Sequence, residues 1–418
     1  MSTALVTPEG RSTPAERCGA RPLSVLRLAP HFYRPGDWPV AYDPVGGMQN
    51  QVWQATRDLD AAGVRQTVVT TFIPGCERSC RPFAATTLDS VGLDLPERLA
   101  PSLLSASWSA FLLPSLAARV RAHDLVHVHL DHSIWCRLLA LVAKRAGRPL
   151  VVTLNVSLLS DGAATGWEAT VARLEARTLR AADRIVALTP RQRDAVGARV
   201  PGTRPRIRVV PDAVDPAPFA APPPADAIAA FRARHGIPDG RRVVAYVGRI
   251  SDEKGWRDLP VVAERLARDG VFLLVCGDGP RRAELEALLD PRARGVRWTV
   301  TGFVSQGAVR AALTLAEVVL LPSRREAFGS VLLEAMAAGV PSVAYTVGGV
   351  ADVDGGSGAI ALVPPGDTAR LVAAVTALLR EPSSREARVR AGLARVQAFL
   401  AADVRDGMLA LYRELVSG

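Results

Sequence analysis

The stretch from Pro322 to Pro341, PSRREAFGSVLLEAMAAGVP, constrains this chain more than any other. The apolar run EVVLLP leads into it. That run is short, β-branched and closed by proline, so it reads as a buried parallel strand. Arg324, Arg325 and Glu326 make a polar turn, and Gly329 lets the backbone come close to a partner. Ser330 is a fair N-cap, SVLLEAMAA is a run of good helix formers, and Gly339 with Pro341 closes the helix. The result is a helix whose N-terminus faces the carboxyl edge of a sheet, where open α/β sheets bind their ligands. Free N–H groups and the helix dipole favour an anion there. Glu326 and Glu334 flank the same turn. Carboxylates beside an anion site suit a ligand that also carries hydroxyls, as a nucleotide sugar does. The plainer alternative is that Glu334 stabilises the first helical turns and Glu326 is solvated.

The full pattern, PS-x-x-E-x-F-G-x-x-x-L-E-A-M-A-x-G-x-P, resembles the E-x7-E signature of retaining GT-B glycosyltransferases of the GT4 type. That resemblance implies an α/β fold with two Rossmann-like domains whose parallel sheets face a central cleft. The length agrees, since 418 residues suffice for two cores. The expected division is a loose leader over 1–22, an acceptor domain over 23–214, a nucleotide-sugar domain over 215–395, and a final helix over 396–418 that crosses back onto the first domain. APPPADA (221–227) marks the break between the domains.

No apolar run approaches the ~20 residues of a membrane span, and the N-terminus has no apolar core of a signal peptide. The five cysteines are scattered without a CxxC pair, which favours neither zinc nor a disulfide framework and fits a reducing cytoplasm. The net charge of +10 is carried by dispersed arginines without basic blocks or interleaved aromatics, which argues against a nucleic-acid partner. Only Lys144 and Lys254 are lysines. A lysine kept in so arginine-rich a chain hints at a need for a compact ammonium.

Along the chain, LSVLRLAP is a first strand, YDPVGGMQNQ a glycine turn entering an amphipathic helix, and RQTVVTTFIP a second strand. Gly46 and Gly47 sit at the turn. By the resemblance, Gly47 lets a backbone N–H reach the donor's β-phosphate across the cleft; by itself the pair is an ordinary tight turn. Residues 76–120 read as irregular, with Leu-rich helical pieces. DLVHVHLDH is a buried strand with His127 and His129 on one face. Alone, such alternating histidines are structural or half of a metal pair lacking a third ligand; the resemblance points His129 at the hexose. RIRVVPDAVDPAPF resembles a linker strand that usually reads I-P-N-G-V-D-x-x-x-F, with Asp212 and Ala213 standing for Asn and Gly. GRISDEKG matches the family's G-R-[IL]-x-x-x-K-G, with Gly248, Arg249 and Lys254 in register. Two cations at a strand end can clamp a diphosphate; the alternative is a solvated loop. In VTGFVSQGAV the backbone of Phe303 and Val304 is expected at the base.

The implied chemistry is transfer of N-acetylglucosamine or glucose from a UDP-sugar to a small polar alcohol with retention of configuration. Arg249, Lys254, the Ser330 helix end and Gly47 would hold the diphosphate. Glu334 would hold the ribose, and Glu326 with the amides of Phe328 and Gly329 the sugar. No cofactor or metal and no stable membrane association are expected. The stretch GGMQNQVWQATRDLDAAGVRQTVVTTFIPG resembles glycosyltransferases that act on 2-deoxystreptamine in aminoglycoside antibiotic assembly. Such a cationic acceptor calls for carboxylates, with Asp37, Asp43, Asp131 and Asp161 as candidates. Transfer to inositol phosphate or a lipid, epimerisation of a UDP-sugar, and nucleotide-sugar binding without catalysis are the competing readings.

Overall fold

Runs of Val, Ile and Leu that end in Gly, Pro or charge recur through the chain, and each becomes a parallel strand covered on both faces. The computed structural model describes residues 21–30, 32, 47–72, 77–93, 101–131, 134–159, 166–289, 292 and 297–417. The expected leader over 1–22 lies outside these residues except for its last two.

The first lobe has strands β1 (Ser24–Leu28), β2 (Arg65–Thr71), β3 (Ser79–Phe83), β4 (Thr86–Val91), β5 (Leu125–His129), β6 (Leu150–Thr153), β7 (Arg184–Ala187) and β8 (Ile207–Val209). They form one sheet in the order β3-β4-β2-β1-β5-β6-β7-β8, parallel except for β3 against β4. The second lobe has β9 (Arg242–Val247), β10 (Val271–Cys276), β11 (Trp298–Val300), β12 (Val318–Leu321), β13 (Ser342–Tyr345) and β14 (Ile360–Val363), in the order β11-β10-β9-β12-β13-β14 and parallel throughout. Helices cover both faces. Val244, Tyr246, Leu273, Val275, Val318 and Leu320 belong to one core of the second sheet, and Leu26, Leu28, Val126, Val128, Leu150 and Val152 to one core of the first. The strand order turns about β1 and β9, so each sheet has its crevice at the carboxyl ends of those strands.

Residues 76–120 differ from the irregular reading. They hold the β3–β4 hairpin and a helix, Pro101–Arg121. The helix buries Trp108, Leu112, Leu116 and Val120, four residues apart, while Phe111 and Leu113 stay exposed. These exposed apolar residues, with Pro114 inside the helix, blur the stripe in the sequence. Pro82 is tolerated in β3 because that strand is an edge.

Two segments cross between the lobes. Val214 pairs with Leu400 as an isolated parallel bridge, with Val214 N donating to Phe399 O at 2.9 Å and Ala401 N to Val214 O at 3.1 Å. The helix Ala401–Ser417 then lies on the first lobe, where Leu409, Leu411 and Tyr412 are buried with Val25, Leu59 and Leu125.

Candidate active site

After β12 the chain turns through Ser323–Phe328 into the helix Ser330–Ala337. Gly329 is its N-cap, at φ 96° and ψ 54°. That left-handed conformation favours glycine. Here the structure corrects the sequence, which favoured Ser330 as the cap. Ser330 is the first helical residue, and its hydroxyl donates instead to Asp212 Oδ2 at 2.6 Å, 118 residues away. Phe328 is core, 3% exposed and edge-on to Phe399; what it offers the cleft is its backbone.

The loop after β9 is stitched to this turn. Arg324 N and Arg325 N donate to Glu253 O at 2.7 and 3.1 Å. Gly255 has φ +70°, and a Cβ there would sit 1.8 Å from Pro322 O, so only glycine allows the approach. The stitching sets Lys254 Nζ at 2.9 and 2.8 Å from the two oxygens of Glu326. Ser323 Oγ donates to the same carboxylate at 3.0 Å. Arg324 turns away to Asp258, at 3.0 and 2.8 Å, and braces the loop from outside. Arg249 is exposed at the end of β9, its carbonyl accepting from Tyr246 Oη at 2.6 Å. Gly248 N donates to Cys276 O at 3.0 Å, and a Cβ on Gly277 would strike Gly248 O.

One helical turn beyond Ser330, the half-buried Glu334 accepts from Gln306 Nε2 at 2.9 Å. Burial pushes its carboxyl up to about 7, against the opposing pull of Gln306. Gln306 follows the exposed Phe303 and half-buried Val304, so that segment stands beside Glu334. The sequence reading missed Gln306 and Ser323, which lie inside motifs already marked and are recognisable only as partners of the two glutamates.

From the first lobe, the helix Gly47–Ala61 presents its first residue to the second: a Cβ built on Gly47 would lie 3.6 Å from Ser330 Oγ. Two helix N-termini thus converge on one point. Gln51 of the same helix exchanges two hydrogen bonds with Ala213, at 3.2 and 3.1 Å. Asp212, next to it, is half-buried. Burial raises its carboxyl to about 6; Ser330 opposes the shift and Glu326 adds to it. The structure therefore brings together Lys254, Glu326, Gly329, Ser330 and Gly47. Gly46 and Asp43 lie outside the described residues, as do Asp37 and Asp161.

Two residues expected at the site from the first lobe, His129 and Asp131, are buried. His129 is 4% exposed and both its ring nitrogens have protein partners. Arg27 Nη1 donates to Nε2 at 2.7 Å, so the ring proton is on Nδ1 and goes to Asn155 Oδ1 at 3.0 Å. Burial and the Arg27 charge push its pKa down to about 3. The ring is a neutral wall of the site and offers no open nitrogen to a hexose. His127 stacks on it at 4.4 Å, also held neutral by burial. Tyr412 OH accepts from Arg27 and is hydrogen-bonded to His127 Nδ1 at 2.5 Å, and His127 Nε2 is hydrogen-bonded to Thr153 Oγ1 at 2.6 Å. Asp131 is 6% exposed, and its backbone carbonyl accepts from Arg137 at 2.8 Å. Among the described residues no cluster of three metal-ligating side chains occurs, and no helix is long and apolar enough to cross a membrane.

Residues 227–395 match the family model Glycosyl transferases group 1, and residues 45–218 match Glycosyltransferase Family 4. The chain is 34% identical over 413 residues to 2-deoxystreptamine N-acetyl-D-glucosaminyltransferase of Streptomyces fradiae, covering 94% of this chain and 96% of that protein. It is 36% identical over 362 residues to 2-deoxystreptamine glucosyltransferase of Streptomyces kanamyceticus, covering 82% and 92%. Among solved structures, sucrose-phosphate synthase from Thermosynechococcus elongatus superposes with a TM-score of 0.78 at 23% identity, over 94% of this chain and 99% of that one.

Proposed function

The chain belongs to the glycosyltransferase family that its two halves match, and from that premise we propose that it transfers N-acetylglucosamine or glucose from a UDP-sugar to the aminocyclitol 2-deoxystreptamine, with retention of configuration. The observation that carries this reading is the Lys254–Glu326 pair, set beside two converging helix N-termini. A nucleoside diphosphate brings negative charge, which an ammonium and the free N–H groups of helix ends accommodate. A hexose brings hydroxyls, which Glu326 can accept. The two needs sit side by side here.

In this reading the diphosphate draws Lys254 toward itself, with Arg249 and the amides at Gly47 and Ser330 spreading its charge. Glu326 is then free to take sugar hydroxyls, and Glu334 those of the ribose. The bond between the anomeric carbon and the phosphate oxygen breaks. The acceptor oxygen bonds to the same face of that carbon, and its proton passes to the departing phosphate. No protein nucleophile is needed, which agrees with a neutral, fully engaged His129. A cytoplasmic location accords with these substrates.

The deciding experiment offers UDP-N-acetylglucosamine, UDP-glucose and GDP-mannose with 2-deoxystreptamine, inositol phosphates and lipid acceptors, and follows nucleotide release together with the product's anomeric configuration. Release that requires 2-deoxystreptamine and gives a product of unchanged configuration supports the proposal. Release only with an inositol phosphate or a lipid refutes the acceptor, and an inverted product refutes the mechanism.

A further inference from the structure

We propose that Asp212 is the specificity carboxylate of this site, recognising a protonated amine on the substrate, and on the acceptor in particular. The inference rests on the aminocyclitol reading and names a residue for it. Asp212 lies in the segment joining the lobes. Its neighbour Ala213 is fixed to the first lobe through Gln51, and its own carboxyl is fixed to the second through Ser330. It therefore sits where both substrates meet, and it is assembled only when the lobes are together.

The charge balance there is incomplete. Glu326, close enough to act on Asp212, has its charge met by Lys254 at 2.8 Å. Asp212 receives one hydroxyl hydrogen bond, and among the described residues no lysine or arginine bonds it. A half-buried carboxylate without a cation is costly, and its pKa rises accordingly, to about 6. When a diphosphate draws Lys254 away, the deficit of positive charge deepens. A ligand that carries an ammonium supplies what is missing.

There is also space. A cavity of about 60 Å³ adjoins Asp212; Gln51, His129 and Asn155 line it, and so do Arg27 and Arg405. That is room for one ring substituent, such as an ammonium with its hydrogen-bond partners, and not for a whole ring. His129 and Asn155 are buried polar side chains, 4% and 8% exposed, in a lining that is otherwise mainly apolar. Of the four carboxylates expected for this task from the sequence, Asp131 is buried and the other three lie outside the described residues.

The test is a ratio measured within one enzyme, so that any general loss cancels. kcat/KM is taken for 2-deoxystreptamine and for its di-N-acetyl derivative with one donor, and separately for UDP-glucosamine and UDP-glucose with one acceptor. In the wild type the free amine is expected to be favoured by about ten- to a hundredfold, the range of a charge-assisted hydrogen bond. Asp212→Asn should bring the ratio to about one, while Asp212→Glu, which keeps the charge, should retain most of it. Collapse in the acceptor pair places the amine on the acceptor; collapse in the donor pair supports the ammonium site but moves it to the sugar. A ratio in Asp212→Asn equal to the wild type's in both pairs overturns the inference. A wild type that transfers to neutral cyclitols and never to an amine refutes the aminocyclitol reading itself, which is a separate failure.

Discussion

The two lobes share a sheet architecture but treat polar groups in opposite ways. In the second lobe, Arg249 and the Lys254–Glu326 pair stand at the cleft with ionic charge to offer. In the first lobe, Arg27, His127, His129, Asn155 and Tyr412 form a network that is nearly sealed from water, with both imidazoles neutral. One lobe places ion-paired charge at the cleft, and the other a buried, neutral hydrogen-bonded network. A ligand rich in phosphate needs the first kind of wall, and a reacting carbon that must exclude water needs the second.

The comparison can be broken at several points. The largest effect is expected at Arg137–Glu175, a fully buried ion pair of the first lobe at 2.6 Å. Glu175→Ala takes the buried carboxylate away from Arg137 and should cost about 3–5 kcal/mol, melting the first lobe ahead of the second in a denaturant titration followed by hydrogen exchange. Next, Lys254→Ala and Glu326→Ala should each lower kcat/KM by about a hundred- to a thousandfold with the fold unchanged; a fully active Lys254→Ala removes the phosphate clamp.

The pH dependences of the lobes should have opposite signs. His127 and His129 have folded pKa values below the ordinary 6.5, so the unfolded chain binds more protons and stability is lost as pH falls below 6.5. From pH 6.5 to 5 His129 should remove about 2 kcal/mol from the first lobe, and His127 acts in the same direction. Glu334 is raised to about 7, so its contribution is present below 4.5 and disappears as pH rises through 7. Scanning calorimetry at pH 5 and pH 8 should reverse the order in which the lobes melt; the same order at both values would show the contrast to be wrong. The smallest effect is expected at Gln306→Ala, which removes one hydrogen bond to Glu334 and should raise the donor KM about fivefold, with the acid limb of its pH profile moved upward.

How much of this was legible depends on sequence distance. Gly329, Glu326, Lys254 and the strands before them lie in short local motifs, and the family resemblance those motifs carry marked the charged wall. The Pro101–Arg121 helix was hidden by apolar residues that it leaves exposed. The hydrogen-bond partners in the first lobe were out of reach for another reason: Arg27 meets His129 across 102 residues and His127 meets Tyr412 across 285. No pattern in the chain says which way a buried imidazole will turn. Asp212 was visible as a departure from a familiar linker, but its meaning depends on Ser330, which only the fold supplies.

The paired crossing at Val214 and Leu400 sets how the halves can move. A single tether would let the lobes swivel in any direction; two segments joined by an isolated bridge and two hydrogen bonds act as a two-ply spine. Opening like a book leaves that spine intact, while a corkscrew turn shears it. Each cycle of opening and closing should therefore return Gly47 to the same place above Ser330, so that the register between the two halves of the site survives every turnover.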